Sequence, residues 1–129
     1  MKKIAAFAAF LGLILIGCSS GPKAPYGDIT PDQFSAILAD LDDEVLLDVR
    51  TPDETSGGII AGARTLDFFD DNFKSELEKL DKDKTIMVYC AAGGRSGETV
   101  SELHKLGFEK VYNLIGGFNG WKAGNYPVK

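Results

Sequence analysis

The sequence predicts one three-layer α/β domain, with parallel strands in the middle and helices on both faces. Three observations predict it: short β-favouring, largely apolar runs at residues 45–49 and 85–89 with a further strand at 108–114, amphipathic segments between them, and glycine-bearing turns where the runs stop. Uninterrupted apolar strands are those buried on both faces, and strands that alternate with helical segments pair in parallel. The 129 residues leave room for one such domain and little more, and no internal repeat occurs.

Each element has its own local warrant. Thr30-Pro31-Asp32-Gln33 reads as a helix start, with Thr30 as N-cap, Pro31 in the first turn and Gln33 closing a capping box. Phe34, Ile37, Leu38 and Leu41 follow at i, i+3, i+4, i+7 and define the face of an amphipathic helix. Residues 45–49, Val-Leu-Leu-Asp-Val, form a short buried strand expected near the centre of the sheet. Phe69, Phe73, Leu77 and Leu80 repeat at helical spacing and predict a helix over residues 70–80, closed by the charged stretch 81–84. Residues 85–89 give the next strand, which stops at Cys90. Ala91-Ala92-Gly93-Gly94 breaks it, and a helix beginning at Ser96 presents Val100, Leu103 and Leu106 on one face, with Gly107 as its C-cap. Residues 108–114 form a further strand, and residues 118–124 a short helix capping the sheet.

The N-terminal residues are set apart by composition. Lys2 and Lys3 precede residues 4–16, an uncharged apolar run of a length typical of a secretory signal and short of the ~20 residues that span a bilayer. An ordinary secretory signal cut near Gly17 or Ser20 would also read this way, but Leu15-Ile16-Gly17-Cys18 resembles the lipobox of bacterial lipoproteins. That resemblance implies cleavage before Cys18 and acylation of its thiol and new amino terminus. The organisation expected is a signal segment at 1–17, a lipid-anchored linker at 18–26 and a folded domain at 27–129. Multiple acyl chains hold a protein on a membrane where one would not. The expected location is therefore the bacterial cell envelope, lipid-anchored and facing the periplasm; Ser19 resembles the residue of lipoproteins sent to the outer membrane.

The whole chain has 14 Lys and Arg against 19 Asp and Glu, and loss of Lys2 and Lys3 takes its net charge from −5 to −7. A scattered minority of cations argues against nucleic acid as a partner. With Cys18 acylated, Cys90 has no cysteine left to pair with, and a lone thiol in an exported chain points to intermolecular pairing or to reactivity. Cys90 falls at the carboxyl end of a strand, where open α/β sheets bind their ligands. The amides of residues 91–96 can curl around the sulfur, with Gly93 and Gly94 permitting the turn, Arg95 adding charge and Ser96 opening a helix. Each hydrogen bond to an ionised group contributes ~1.5–3 kcal/mol and a helix N-terminus ~0.3–1 kcal/mol, enough together to favour the thiolate. A cysteine that merely closes a strand is the plain alternative, and a phosphate cradle another, although no Walker Lys-Ser/Thr pair follows the loop.

Four segments in order resemble the single-domain rhodaneses, a sulfurtransferase family, over residues 28–128. Leu47-Asp48-Val49-Arg50 is similar to the family's Asp-Val-Arg strand end. Pro52-Asp53-Glu54 with residues 58–63 is similar to its Gly-His-Ile-Pro-Gly-Ala segment. Residues 90–96 resemble the active-site loop, and residues 114–121 the terminal Gly-Gly-x-x-Gly-Trp signature. The resemblance implies a mainly parallel five-stranded sheet flanked by helices. Among the departures from it, Ile59 replaces a histidine, and Ala91 replaces the arginine often found after the catalytic cysteine, which weakens the expected hold on a small anionic donor such as thiosulfate.

The chemistry so implied is ping-pong sulfur transfer. Cys90 takes a sulfane sulfur from thiosulfate or a persulfide donor and passes it to a thiol or cyanide. Residues Ala91, Ala92, Gly93, Gly94, Arg95 and Ser96 hold the donor and the persulfide, and neither metal nor organic cofactor is required. The partners expected are a small sulfur-containing donor and a thiol acceptor, with a protein persulfide as a further candidate. A catalytically silent sulfur-binding or partner-binding module is the alternative. A phosphatase is less favoured, because the Cys-x5-Arg loop of such enzymes is one residue longer than Cys90 to Arg95 allows. Asp48 and Arg50 read as a structural ion pair supporting the loop, Trp121 as core, His104 as a solvent-facing helix residue, and residues 40–44 as a solvated acidic turn.

Overall fold

The computed structural model describes residues 26–40 and 42–129, so the signal segment, Cys18, the linker up to residue 25 and Leu41 lie outside the described residues. Five strands, β1 (Tyr26–Ile29), β2 (Val45–Asp48), β3 (Arg64–Thr65), β4 (Ile86–Tyr89) and β5 (Val111–Leu114), form one sheet in the order β1-β5-β4-β2-β3. Every pairing is parallel. The helices are α1 (Pro31–Asp40), α2 (Pro52–Thr55), α3 (Phe73–Glu78), α4 (Gly94–Lys105) and α5 (Gly117–Ala123). β1 begins at Tyr26, the last residue of the stretch read as linker.

The sheet divides the core in two because successive strand residues point to opposite faces. Leu47, Ile86, Val88, Cys90 and Val111 pack with Phe73 and Leu77 of α3 and with Val100 and Leu103 of α4. Leu46, Met87, Tyr89, Tyr112 and Leu114 pack with Phe34 of α1 and with Phe118 and Trp121 of α5. Trp121, 2% exposed, meets Phe34 edge-on at 5.9 Å and donates its ring N–H to the Pro127 carbonyl at 2.7 Å.

The capping box at α1 forms as read: the Thr30 N–H donates to Gln33 Oε1 at 3.0 Å, and the Gln33 N–H donates to Thr30 Oγ1 at 3.3 Å. Several expectations need correction. β2 is an interior strand, but the middle of the sheet is β4, which lies between β2 and β5. The helix expected over 70–80 starts only at Phe73, because Asp67 and Asp70 accept the amides of Phe69 and Asn72 two residues on and hold turns there. Phe69 is consequently 67% exposed rather than part of the core. α4 starts at Gly94, two residues earlier than expected, so Arg95 and Ser96 belong to its first turn. The strand expected from residue 108 begins at Val111, because the Phe108 N–H is still bonded to the Leu103 carbonyl at the end of α4.

Candidate active site

Cys90 ends β4 at the carboxyl edge of the sheet and is 1% exposed. Gly93 turns the chain under the sulfur. Its φ of +108° is a conformation that side-chain-bearing residues rarely adopt, and a Cβ there would stand 3.6 Å from the Gly116 nitrogen and the Leu114 oxygen. With that turn made, the Gly93 N–H donates to Cys90 Sγ at 3.1 Å and the Ser96 hydroxyl donates to it at 3.2 Å. Burial opposes ionisation of the thiol, but the Ser96 hydroxyl and the amides of Ser96, Gly93 and Ala92 outweigh it and bring the pKa below its ordinary value. Sγ therefore lies in a cup of donors at the start of a twelve-residue helix, where a negative charge is stabilised.

The cup is held from behind. The Phe118 and Asn119 amides in the first turn of α5 donate to the Cys90 and Ala91 carbonyls at 2.8 and 3.0 Å. Asn113 of β5, 4% exposed, donates to the Gly93 carbonyl at 3.2 Å and to Asp28 Oδ1 at 2.8 Å. The sequence foretells neither contact. The available signal for Asn113 is a lone amide side chain inside the otherwise apolar segment of β5, a group that must find partners when buried.

Of the sequence-derived site residues, the structure brings Cys90, Ala92, Gly93 and Ser96 together around the sulfur. Ala91 contributes its carbonyl to α5, and Gly94 opens α4 with its Cα side exposed. The guanidinium pKa of Arg95 is raised, first by its hydrogen bonds to Glu54 and to a lesser extent by the Cys90 thiolate. Arg95 Nη1 and Nη2 donate to Glu54 Oε2 and Oε1 at 2.8 and 2.7 Å. Along the sequence Glu54 stands out only as part of a motif, and its link to Arg95, 41 residues away, is a tertiary fact.

Asp48 and Arg50 do not reach the sulfur; they brace the other face. Both are buried, and Arg50 Nη2 donates to Asp48 Oδ2 at 2.6 Å and to the Gly58 carbonyl at 2.7 Å. The guanidinium lies 3.9 Å from the Phe118 ring centroid. Breaking a buried pair leaves one charge uncompensated, so Asp48→Asn is expected to lower the unfolding free energy by about 3 kcal/mol in denaturant titration. His104 is exposed on α4, and Asp43 of the acidic turn pairs with Lys84 at 2.9 Å. Among the described residues no group of three or more His, Cys, Asp or Glu is placed to hold a metal ion, and no helix is long and apolar enough to cross a membrane.

Ser96 gives the most direct check on the cup. Because the folded thiol ionises below its ordinary pKa, its alkylation rate should climb with pH earlier than that of a free thiol. Ser96→Ala removes one donor from the charged form, so the climb is expected to move to higher pH and the rate at neutral pH to fall about tenfold.

Comparison with known proteins agrees with this architecture. The family model described as a rhodanese-like domain matches residues 30–124. A sulfurtransferase from Allochromatium vinosum is 32% identical over 101 residues, covering 78% of this chain and 92% of that protein. The thiosulfate sulfurtransferase GlpE of Coxiella burnetii is 41% identical over 81 residues, covering 63% and 74%. The crystal structure of a rhodanese-related protein from Thermoplasma volcanium superposes with a TM-score of 0.71 at 29% identity, covering 81% of this chain and 98% of that one. These names support a sulfurtransferase-type role at the level of the family. On a match that takes in every element from α1 to α5, the chain belongs to the rhodanese-like domain family.

Proposed function

We propose that the protein is a sulfurtransferase that carries a sulfane sulfur as a persulfide on Cys90. The observation that carries this reading is the pair of donors on Sγ, the Gly93 amide at 3.1 Å and the Ser96 hydroxyl at 3.2 Å, on a thiol with lowered pKa. A cup that stabilises a thiolate also suits the terminal sulfur of a persulfide, which bears the same charge.

With thiosulfate as donor, the Cys90 thiolate attacks the outer sulfur; a new S–S bond forms to Cys90, the old S–S bond breaks, and its electron pair leaves on sulfite. The acceptor then attacks the outer sulfur of the persulfide. Cyanide leaves as thiocyanate, a thiol acceptor leaves as its own persulfide, and the electron pair returns to Cys90 as thiolate. No net charge or redox equivalent is left on the protein. The physiological place of this reaction, on our reading, is the cell envelope, with the domain carried by an acylated Cys18; the support is the sequence Leu15-Ile16-Gly17-Cys18 after an apolar run.

One measurement addresses chemistry and anchor together. Protein recovered from membranes and treated with thiosulfate is expected to gain the mass of one sulfur on the peptide containing Cys90, to lose it to cyanide with release of thiocyanate, and to carry acyl groups on the peptide beginning at Cys18. Absence of the sulfur adduct with thiosulfate and also with the singly charged donor methanethiosulfonate overturns the persulfide reading, and an unmodified N-terminal peptide overturns the anchor.

A further inference from the structure

Arg95 stands in the first turn of α4 beside Ser96, whose hydroxyl donates to the Cys90 sulfur, yet the outer fork of its guanidinium is already closed. Both outer nitrogens are held by Glu54, at 2.8 and 2.7 Å, in the bidentate arrangement that makes the strongest carboxylate–guanidinium contact. Glu54 is itself fixed. Its Oε2 accepts the Thr51 N–H at 2.9 Å and the Thr51 hydroxyl at 3.0 Å, completing the capping box of α2, so it cannot swing away without uncapping that helix. Arg50 Nη1 adds a contact to the Glu54 carbonyl at 3.3 Å, and the Phe69 ring lies 5.9 Å from the Arg95 guanidinium on another side.

The pair is partly withdrawn from water, with side chains 22% and 32% exposed, so its charges are screened less than those of a surface pair. Hydrogen bonds from Arg95, with lesser help from Thr51, hold the Glu54 carboxyl at about 2, and it stays ionised throughout the working pH range. Ala91 supplies no second cation. A donor arriving at the sulfur therefore meets a positive and a negative charge side by side, with the outer Nη1/Nη2 fork of the guanidinium already taken by Glu54.

Resting on the sulfur-transfer reading above, we propose that Glu54 is a specificity-determining residue: by engaging Arg95 and cancelling its charge beside Cys90, it disfavours doubly charged donors such as thiosulfate. The favoured substrates are singly charged sulfane donors, the chemical class of thiosulfonates and organic persulfides.

The test compares thiosulfate with methanethiosulfonate in the cyanide assay. Both deliver the same sulfur to Cys90, and the electron pair of the broken S–S bond leaves on sulfite in one case and on methanesulfinate in the other. In Glu54→Gln, whose amide oxygen can still accept the Thr51 N–H, the KM for thiosulfate is expected to fall about tenfold relative to that for methanethiosulfonate, as removal of one nearby like charge requires. A role confined to capping α2 would change both donors alike.

A second readout is independent of sulfur transfer. The ratio of Cys90 alkylation rates by iodoacetate and by the neutral iodoacetamide is expected to rise about tenfold in Glu54→Gln for the same electrostatic reason. In the wild-type protein that ratio should lie at or near the ratio for N-acetylcysteine amide, a thiol with no charge beside it, a measurement that needs no variant to fold. A higher wild-type ratio would mark an uncancelled cation and overturn the proposal. Both ratios staying within about twofold of wild type in Glu54→Gln would overturn it as well. If neither donor yields thiocyanate, sulfur transfer itself fails, and the alkylation ratios alone decide the role of Glu54.

Discussion

Replacing Cys90 by serine is expected to lower thiocyanate formation from thiosulfate and cyanide to the uncatalysed background, a loss on the order of 10³-fold or more. The change is nearly isosteric, so the Gly93 and Ser96 donors can still find an acceptor at the end of β4 and the fold should survive. What disappears is the nucleophile. A hydroxyl does not ionise near neutral pH even with two hydrogen bonds to help it, whereas a thiol starts within reach of that pH and is already lowered here. The informative combination is a folded Cys90→Ser protein with an unchanged thermal transition and no turnover. Retained turnover would transfer the chemistry to another group and refute Cys90 as the sulfur carrier.

Gly117→Ala is expected to destabilise the protein by about 4 kcal/mol and to blunt the reactivity of Cys90, although residue 117 never touches the sulfur. The site has φ +58°, which a side-chain-bearing residue occupies at a cost of ~1–2 kcal/mol. Steric conflict adds more. A Cβ at residue 117 would stand 2.5 Å from the Cys90 oxygen and 2.6 Å from the carbonyl carbon and oxygen of Ala91. These atoms are backbone and have no rotamer to escape into, so the first turn of α5 must lift away, an overpacking cost of ~1–3 kcal/mol. Lifting it breaks the amide bonds from Phe118 and Asn119 to the two carbonyls that hold the loop. Chemical denaturation reads the first effect and the pH dependence of alkylation the second. A variant as stable as wild type would show that α5 does not clamp the loop.

The two effects differ in how far the sequence foretells them. Cys90 is legible because several local rules converge on it: a β-favouring run ends there, two glycines follow, and a cation and a hydroxyl begin a helix. Gly117 is legible only as part of a signature, since nothing local says that residue 117 lies against residues 90 and 91. Helix starts follow the same division. The Thr-Pro-Asp-Gln signature at 30–33 announces α1. Thr51-Pro52-Asp53-Glu54 obeys the same rule at α2, but that helix is only four residues long and carries no apolar periodicity to mark it. The two-residue β3 leaves no pattern either. Phe69 misleads because helical spacing continues backward through residues that Asp67 and Asp70 have already committed to turns.

By itself the sequence determined the layers, the helical faces, the strand that delivers Cys90 and the kind of loop that follows, because these depend on periodicity, capping and glycine content within a few residues of each other. The tertiary structure alone decided that Arg95 is bound by Glu54, that Asn113 and α5 hold the loop from behind, and that β4 rather than β2 is the middle strand. Those outcomes depend on which distant segments the parallel crossovers bring to one edge of the sheet, and no spacing along the chain encodes a distance across it.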